Sequence, residues 1–95
     1  MTDRPAILDP AARPRLMRGV RLHEDAARGF ILLAPERVLT ANPTAVEVLK
    51  RCDGERTVTQ IVDELAATFS ADRERVAGDV EALLADLAAK RMVAL

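Results

Sequence analysis

The spacing of apolar positions changes near residue 41. Before it, apolar residues come in short runs and partial alternations; after it they recur every three or four residues. In "RLMRGVRLHE", residues 15–24, Leu16, Val20 and Leu22 share one face if the segment is extended. "DAARG" supplies turn residues, with Gly29 free to take a positive φ. "FILLA" reads as a central strand, Pro35-Glu36 as a tight turn and "RVLT" (37–40) as a third strand. Three short antiparallel strands in succession make a meander.

The helices carry clearer start signals. Asn42-Pro43 sets a capping side chain before a proline at the first helical position, and Ala45, Val48, Leu49 and Cys52 follow on one face. Asp53-Gly54 is the expected end of that helix. "TVTQ" has the form of a capping box from Thr57 to Gln60, followed by Val58, Ile61, Val62, Leu65, Ala66 and Phe69 at helical spacing. A third helix begins near "SADRE", capped by Ser70 or Asp72, with Val76, Val80, Leu83, Leu84 and Leu87 as its apolar set. "MVAL" closes the chain as a short extended segment packed on the core. The predicted fold is α+β: a small three-stranded antiparallel sheet followed by three helices on one face, in a winged-helix-like order. Residues 1–14, broken by Pro5, Pro10 and Pro14, read as a flexible tail, and 15–95 as a single domain.

Composition narrows the function. With no Trp, no Tyr and two Phe, the core must be aliphatic, and stacking platforms for single-stranded nucleic acid are nearly absent. One cysteine leaves no internal disulfide and no Cys-based metal site, so neither metal nor cofactor is expected. No apolar run nears the roughly 20 residues of a membrane span, and the first residues lack a signal-peptide core; the expected compartment is the cytoplasm. Net charge is −1, without the basic stripe that binding duplex phosphates requires.

Catalysis finds little support. His23 stands alone in a strand, Cys52 lies on an apolar helix face, the acids fall on solvated faces, and the four glycines are isolated. A winged-helix nucleic-acid binder is the alternative reading. Against it, the third helix carries Asp72, Glu74, Asp79, Glu81 and Asp86, and the hairpin precedes the helices instead of following them. A binding module remains. "RVLT" is expected to be a free strand edge beside an amphipathic helix, a setting that suits an extended peptide added as a strand.

"LLAPERVL", "RCDGERTV" and "VAGDVEALLADLAAKRMV", in this order and spacing, resemble the PqqD family of pyrroloquinoline quinone (PQQ) biosynthesis over roughly residues 16–93. The resemblance implies a recognition element for ribosomally made, modified peptides (RiPPs), and a non-catalytic peptide chaperone. Its partners would be a PqqA-like precursor peptide and a PqqE-like radical SAM enzyme, with a recognition element of another peptide-modification pathway as a variant reading. Related recognition elements pair the peptide with the third strand, against the third helix. Carried onto this sequence, the peptide-binding residues are Arg37, Val38, Leu39 and Thr40 on the strand, and Arg73, Val76, Ala77, Val80 and Leu84 on the helix. Within the helix, Val76 and Val80 are expected to serve before Leu87. A homodimer through the strand edge or by exchange of the N-terminal hairpin stays open.

Overall fold

The computed structural model describes residues 9–35 and 37–95. The elements run β1 (Arg15–Leu16), β2 (Arg21–Asp25), β3 (Gly29–Ala34), β4 (Arg37–Thr40), α1 (Pro43–Lys50), α2 (Val58–Phe69), α3 (Arg73–Ala89) and β5 (Val93–Ala94). β2, β3 and β4 form the expected three-stranded antiparallel meander, and β1 pairs with β5 in a separate two-stranded unit. At the β2–β3 turn the Asp25 carboxylate accepts from the N–H groups of Ala27 and Arg28, and Gly29 takes φ +78°. Of the Pro35-Glu36 turn, Glu36 lies outside the described residues.

The expected first strand, 15–24, is two strands. Gly19 adopts φ +85°, which no strand residue can share, and Val20 N–H donates to Met17 C=O at 3.0 Å to close a turn. The residues before the turn join β5 and those after it join β3.

The expected tail departs from prediction more. Residues 1–8 lie outside the described residues, but 9–14 are held by backbone bonds to the far side of the chain. Thr59 N–H donates to Pro10 C=O (3.1 Å), Val58 N–H to Ala12 C=O (2.9 Å) and Gly54 N–H to Pro14 C=O (2.9 Å), and the Pro14 side chain is fully buried. These bonds serve the start of α2, whose first N–H groups have no partner within their own helix. The predicted capping box supplies the others: Gln60 N–H donates to Thr57 Oγ1 (3.1 Å) and Thr57 N–H to Gln60 Oε1 (2.8 Å). Prolines, which lack an N–H, still accept through their carbonyls, so a proline-rich segment suits this role.

The other helix ends follow local chemistry with two shifts. Asn42 Oδ1 accepts from Ala45 N–H at 2.8 Å and Pro43 is the first helical residue, as predicted. α1 stops at Lys50 with Arg51 as its cap, and Gly54, at φ +80°, lies in the turn beyond. Ser70 caps the C-terminus of α2 in the left-handed region, which leaves Asp72 to cap α3.

Leu22, Leu32 and Leu39 are cross-strand neighbours on the inward face of the sheet. Leu32 joins one core with Val48 and Leu49 of α1, Ile61 and Leu65 of α2, Val80, Leu84 and Leu87 of α3, and Met92. Opposite lies the row His23–Ile31–Thr40 and the row Arg21–Leu33–Val38. α1 is further tied to the sheet by Lys50, whose Nζ lies 5.3 Å from the centre of the Phe30 ring.

An ion network joins the end of α1 to α2. Arg51 bonds Glu47 and Glu64, both at 2.8 Å, and Arg56 bonds Glu64 at 3.0 Å and Asp53 at 2.6 Å. Hydrogen bonds from Arg51, then Arg56, hold the Glu64 carboxyl below the ordinary glutamate range; Arg51 does the same for Glu47.

Two outcomes follow. Leu84→Ala, at a fully buried position, should lower stability by about 3 kcal/mol in denaturant unfolding. The folded-state pKa values of Glu47 and Glu64 are depressed, so the network's contribution is present above the unfolded glutamate pKa and is lost as pH falls through the folded values. In thermal melts across the acid range, Glu64→Gln should therefore show a shallower loss of Tm with falling pH than the parent chain.

Candidate peptide-binding trough

β4 has a partner on one edge only: it pairs with β3 and with no other strand among the described residues. Ala41 N–H donates to Phe30 C=O at 3.1 Å, which fixes the phase of the ladder. In an antiparallel pair, alternate residues turn both backbone groups toward the same neighbour. With Leu39 opposite Leu32 and Arg37 opposite Ala34, those residues bond to β3, and the N–H and C=O groups of Val38 and Thr40 point to the open edge. Val38 is also 50% exposed, an unusual state for a strand valine.

Beside that edge lies a hollow of about 220 Å³. Leu39 and Thr40 of β4 form one wall, and Leu83, Asp86, Leu87 and Lys90 of α3 the other. Leu32 and Leu49 form its floor. Lys90 Nζ bonds Asp86 at 2.9 Å, so the charges at this end are paired.

Of the residues carried over from the resemblance, Leu39 and Thr40 thus meet α3, while Arg37 and Val38 stand exposed at the strand's other end. Val76, Val80 and Leu84 do not line this hollow: Leu84 is wholly inside the core, and Val80 and Val76 lie about one and two turns before Leu83, its first α3 residue. Ala77 is half-buried against the core. Arg73 is turned to α2, with its Nε 2.6 Å from Asp63 Oδ1. The α3 wall beside β4 is Leu83, Asp86, Leu87 and Lys90, so Leu87, expected to serve after Val76 and Val80, lies closer to β4 than they do. The signal for Leu83 and Leu87 was their i, i+4 spacing, which makes a second apolar row beside Val76–Val80–Leu84.

Val76 and Val80 line a separate hollow of about 260 Å³ at the α2–α3 junction. Leu65 and Phe69 of α2 form its other side, with Thr44, Arg75 and Asp79 at the rim.

No side chain in either hollow is equipped as a nucleophile with a base. The Cys52 thiol is buried among core residues and donates to Val48 C=O at 3.3 Å. Burial, then the nearby Asp53 charge, pushes its pKa up to about 12, so thiolate is negligible near neutrality. Among the described residues no three of His, Cys, Asp and Glu are grouped to hold a metal, and no helix is long and apolar enough to cross a membrane.

Comparison with known proteins agrees with this architecture. The family model described as coenzyme PQQ synthesis protein D (PqqD) matches residues 29–93, from β3 through β5. A "PqqA binding protein" from Rhodopseudomonas palustris (strain BisB5) is 45% identical over 91 residues, covering 95% of this chain and 89% of the relative. The solution structure of the PqqD truncation of Methylobacterium extorquens PqqCD, described as a functional and stand-alone RiPP recognition element, superposes with a TM-score of 0.75 at 42% identity. It covers 93% of this chain and 100% of the neighbour. The crystal structure of PqqD from Xanthomonas campestris gives 0.61 at 40% identity, covering 93% and 99%. With a family model over most of its length, relatives aligned nearly end to end, and the same sheet and helices, the chain belongs to the PqqD family.

Proposed function

We propose that this chain is a non-catalytic chaperone of PQQ biosynthesis that binds a PqqA precursor peptide as a fourth strand on β4 and presents it to a PqqE-like radical SAM enzyme. The observation that carries the reading is the open β4 edge: unbonded backbone groups of Val38 and Thr40 beside the apolar hollow under Leu39, Leu83 and Leu87. The name of the relatives, PqqA binding protein, identifies the ligand class.

Magnitudes divide the labour between edge and hollow. Val38 and Thr40 offer two N–H and two C=O groups between them. At about 0.5–1.5 kcal/mol net per bond, the edge supplies at most about 6 kcal/mol. Association itself costs about 4–15 kcal/mol. Backbone pairing therefore sets register and direction, and affinity comes from apolar side chains lodged along α3, at about 1.5–3 kcal/mol for each fully buried Leu or Phe. Arg37, at the exposed start of β4, is placed to meet an acidic peptide residue. The α3 side offers no basic stripe for a phosphate backbone, since its Lys90 is paired with Asp86 and Asp79 is acidic, which disfavours the nucleic-acid alternative.

The test is Val38→Pro. Proline is tolerated where the lost N–H faces away from the sheet, so the fold should survive while the peptide loses its first edge donor. Calorimetric titration with synthetic PqqA should show affinity about tenfold weaker, roughly the value of one hydrogen bond to a desolvated partner. Leu39→Pro, which removes a donor to β3, should instead destabilise the sheet. Wild-type affinity in a folded Val38→Pro chain, together with unmoved amide resonances for residues 37–41 on titration, would exclude strand addition at β4.

A further inference from the structure

The hollow beside β4 continues along α3. Ala45 and Leu83 line it and also line a shallow stretch with Asn42, Asp79 and Ala82. Thr44 and Asp79 in turn line both that stretch and the hollow at the α2–α3 junction. The three lie in succession along α3 and adjoin through these shared residues as a segmented trough. From Val76 to Lys90 its α3 wall measures about 21 Å at the helical rise per residue. That is room for about six residues of extended chain, whereas β4 has four. A peptide added to β4 would run out of strand before it ran out of trough.

The far hollow has the features of an anchor pocket. Leu65, Val76 and Val80 give it a buried apolar floor. Phe69, one of the two aromatic residues of the chain, stands at its side and is 44% exposed. Between the two hollows Asp79 contributes to the linings of both the shallow stretch and the far hollow, and it forms no ion pair with a described residue. Asp86 holds Lys90 and Arg73 holds Asp63, while the Asp72 carboxylate caps α3 through the backbone N–H of Arg75, whose guanidinium lines the same hollow one turn from Asp79. This rim of the far hollow thus carries the Asp79 carboxylate and the Arg75 guanidinium, neither in an ion pair with a described residue.

An antiparallel guest would continue the pattern of the sheet. Its strands are antiparallel throughout, and an antiparallel addition to β4 brings the N-terminal end of the peptide strand beside Thr40. From Thr40 the trough leads past Asn42 and Thr44 to Phe69. Resting on the strand-addition reading above, we infer that the far hollow is a second anchor site for the same peptide. It takes a bulky apolar side chain from the segment N-terminal to the added strand, and Asp79 pairs with a basic residue lying between that anchor and the strand. Recognition is thereby bipartite, with the strand setting register and the anchor selecting among precursors.

The experiment uses full-length synthetic PqqA and a version shortened at the N-terminal side of the segment whose amides pair with β4. Phe69→Ala, at a half-exposed position, should keep the wild-type circular dichroism and weaken binding of the full-length peptide about tenfold. It should leave the shortened peptide's affinity unchanged, since the anchor is then missing from both sides of the cycle. Asp79→Asn should weaken the full-length peptide about threefold and flatten the salt dependence of its binding. Equal binding of the two peptides to the parent chain, with Phe69→Ala without effect while Val38→Pro still weakens both, overturns the second anchor and leaves strand addition standing. Loss of the Val38→Pro effect as well removes both readings. A change only in sedimentation of the free protein on Phe69→Ala would assign the hollow to a second copy of the chain, and this too overturns the proposal.

Discussion

The backbone clamp between residues 10–16 and the segments at 53–59 and 92–94 decides where α3 lies. Three carbonyls of a proline-rich stretch accept from the turn before α2 and from its first residues, and β1 pairs antiparallel with β5. β5 follows α3 after a sharp reversal, in which Arg91 takes φ +61° and Met92 N–H returns to Leu87 C=O at 2.9 Å. The end of α3 is therefore fastened to β1 through β5. Were the last residues free to pair with β4, they would complete the sheet and close the trough. The clamp commits them elsewhere, and the open edge is the remainder of that commitment.

Buried packing holds the arrangement against the clamp. α3 presents Val80, Leu84 and Leu87 to Ile61, Leu65 and Leu32, with Met92 sealing the end. Leu83, with Asp86 and Lys90 around it, is left over by this contact and lines the trough, and Leu87 serves both core and trough. Helix geometry makes this partition unavoidable: a stripe wide enough to carry five apolar residues in three turns cannot face one neighbour with all of them. The chain uses the surplus as a surface. The same economy applies to Cys52, which is core filler whose chemistry is silenced by burial.

How much of this was legible in the sequence depended on the range of the contact. Asn42-Pro43 and Thr57 to Gln60 were readable because each bond closes within three or four residues, and both form as read. The meander was readable from apolar runs and turn residues for the same reason. Residues 10–16 were misread as tail and strand because their partners lie some forty positions away, and nothing local marks Pro10, Ala12 and Pro14 as acceptors for residues 54–59. The trough was half legible. The resemblance pointed to β4 and α3, but an apolar stripe does not reveal which of its rows meets which neighbour. The register of α3 against β4, which brings Leu83 and Leu87 and not Val76 to the strand, is set by tertiary packing alone.

β4 offers outward backbone groups only at Val38 and Thr40, with the intervening residue turned to its own sheet. A strand added to such an edge would bond it through its backbone at every second residue, which fixes register without regard to side-chain identity. If a peptide is added there as proposed, its side chains alternate between the trough and the outer face, and those on the outer face could change without loss of docking. Under that proposal, residues that dock and residues that do not could share one short peptide and drift independently.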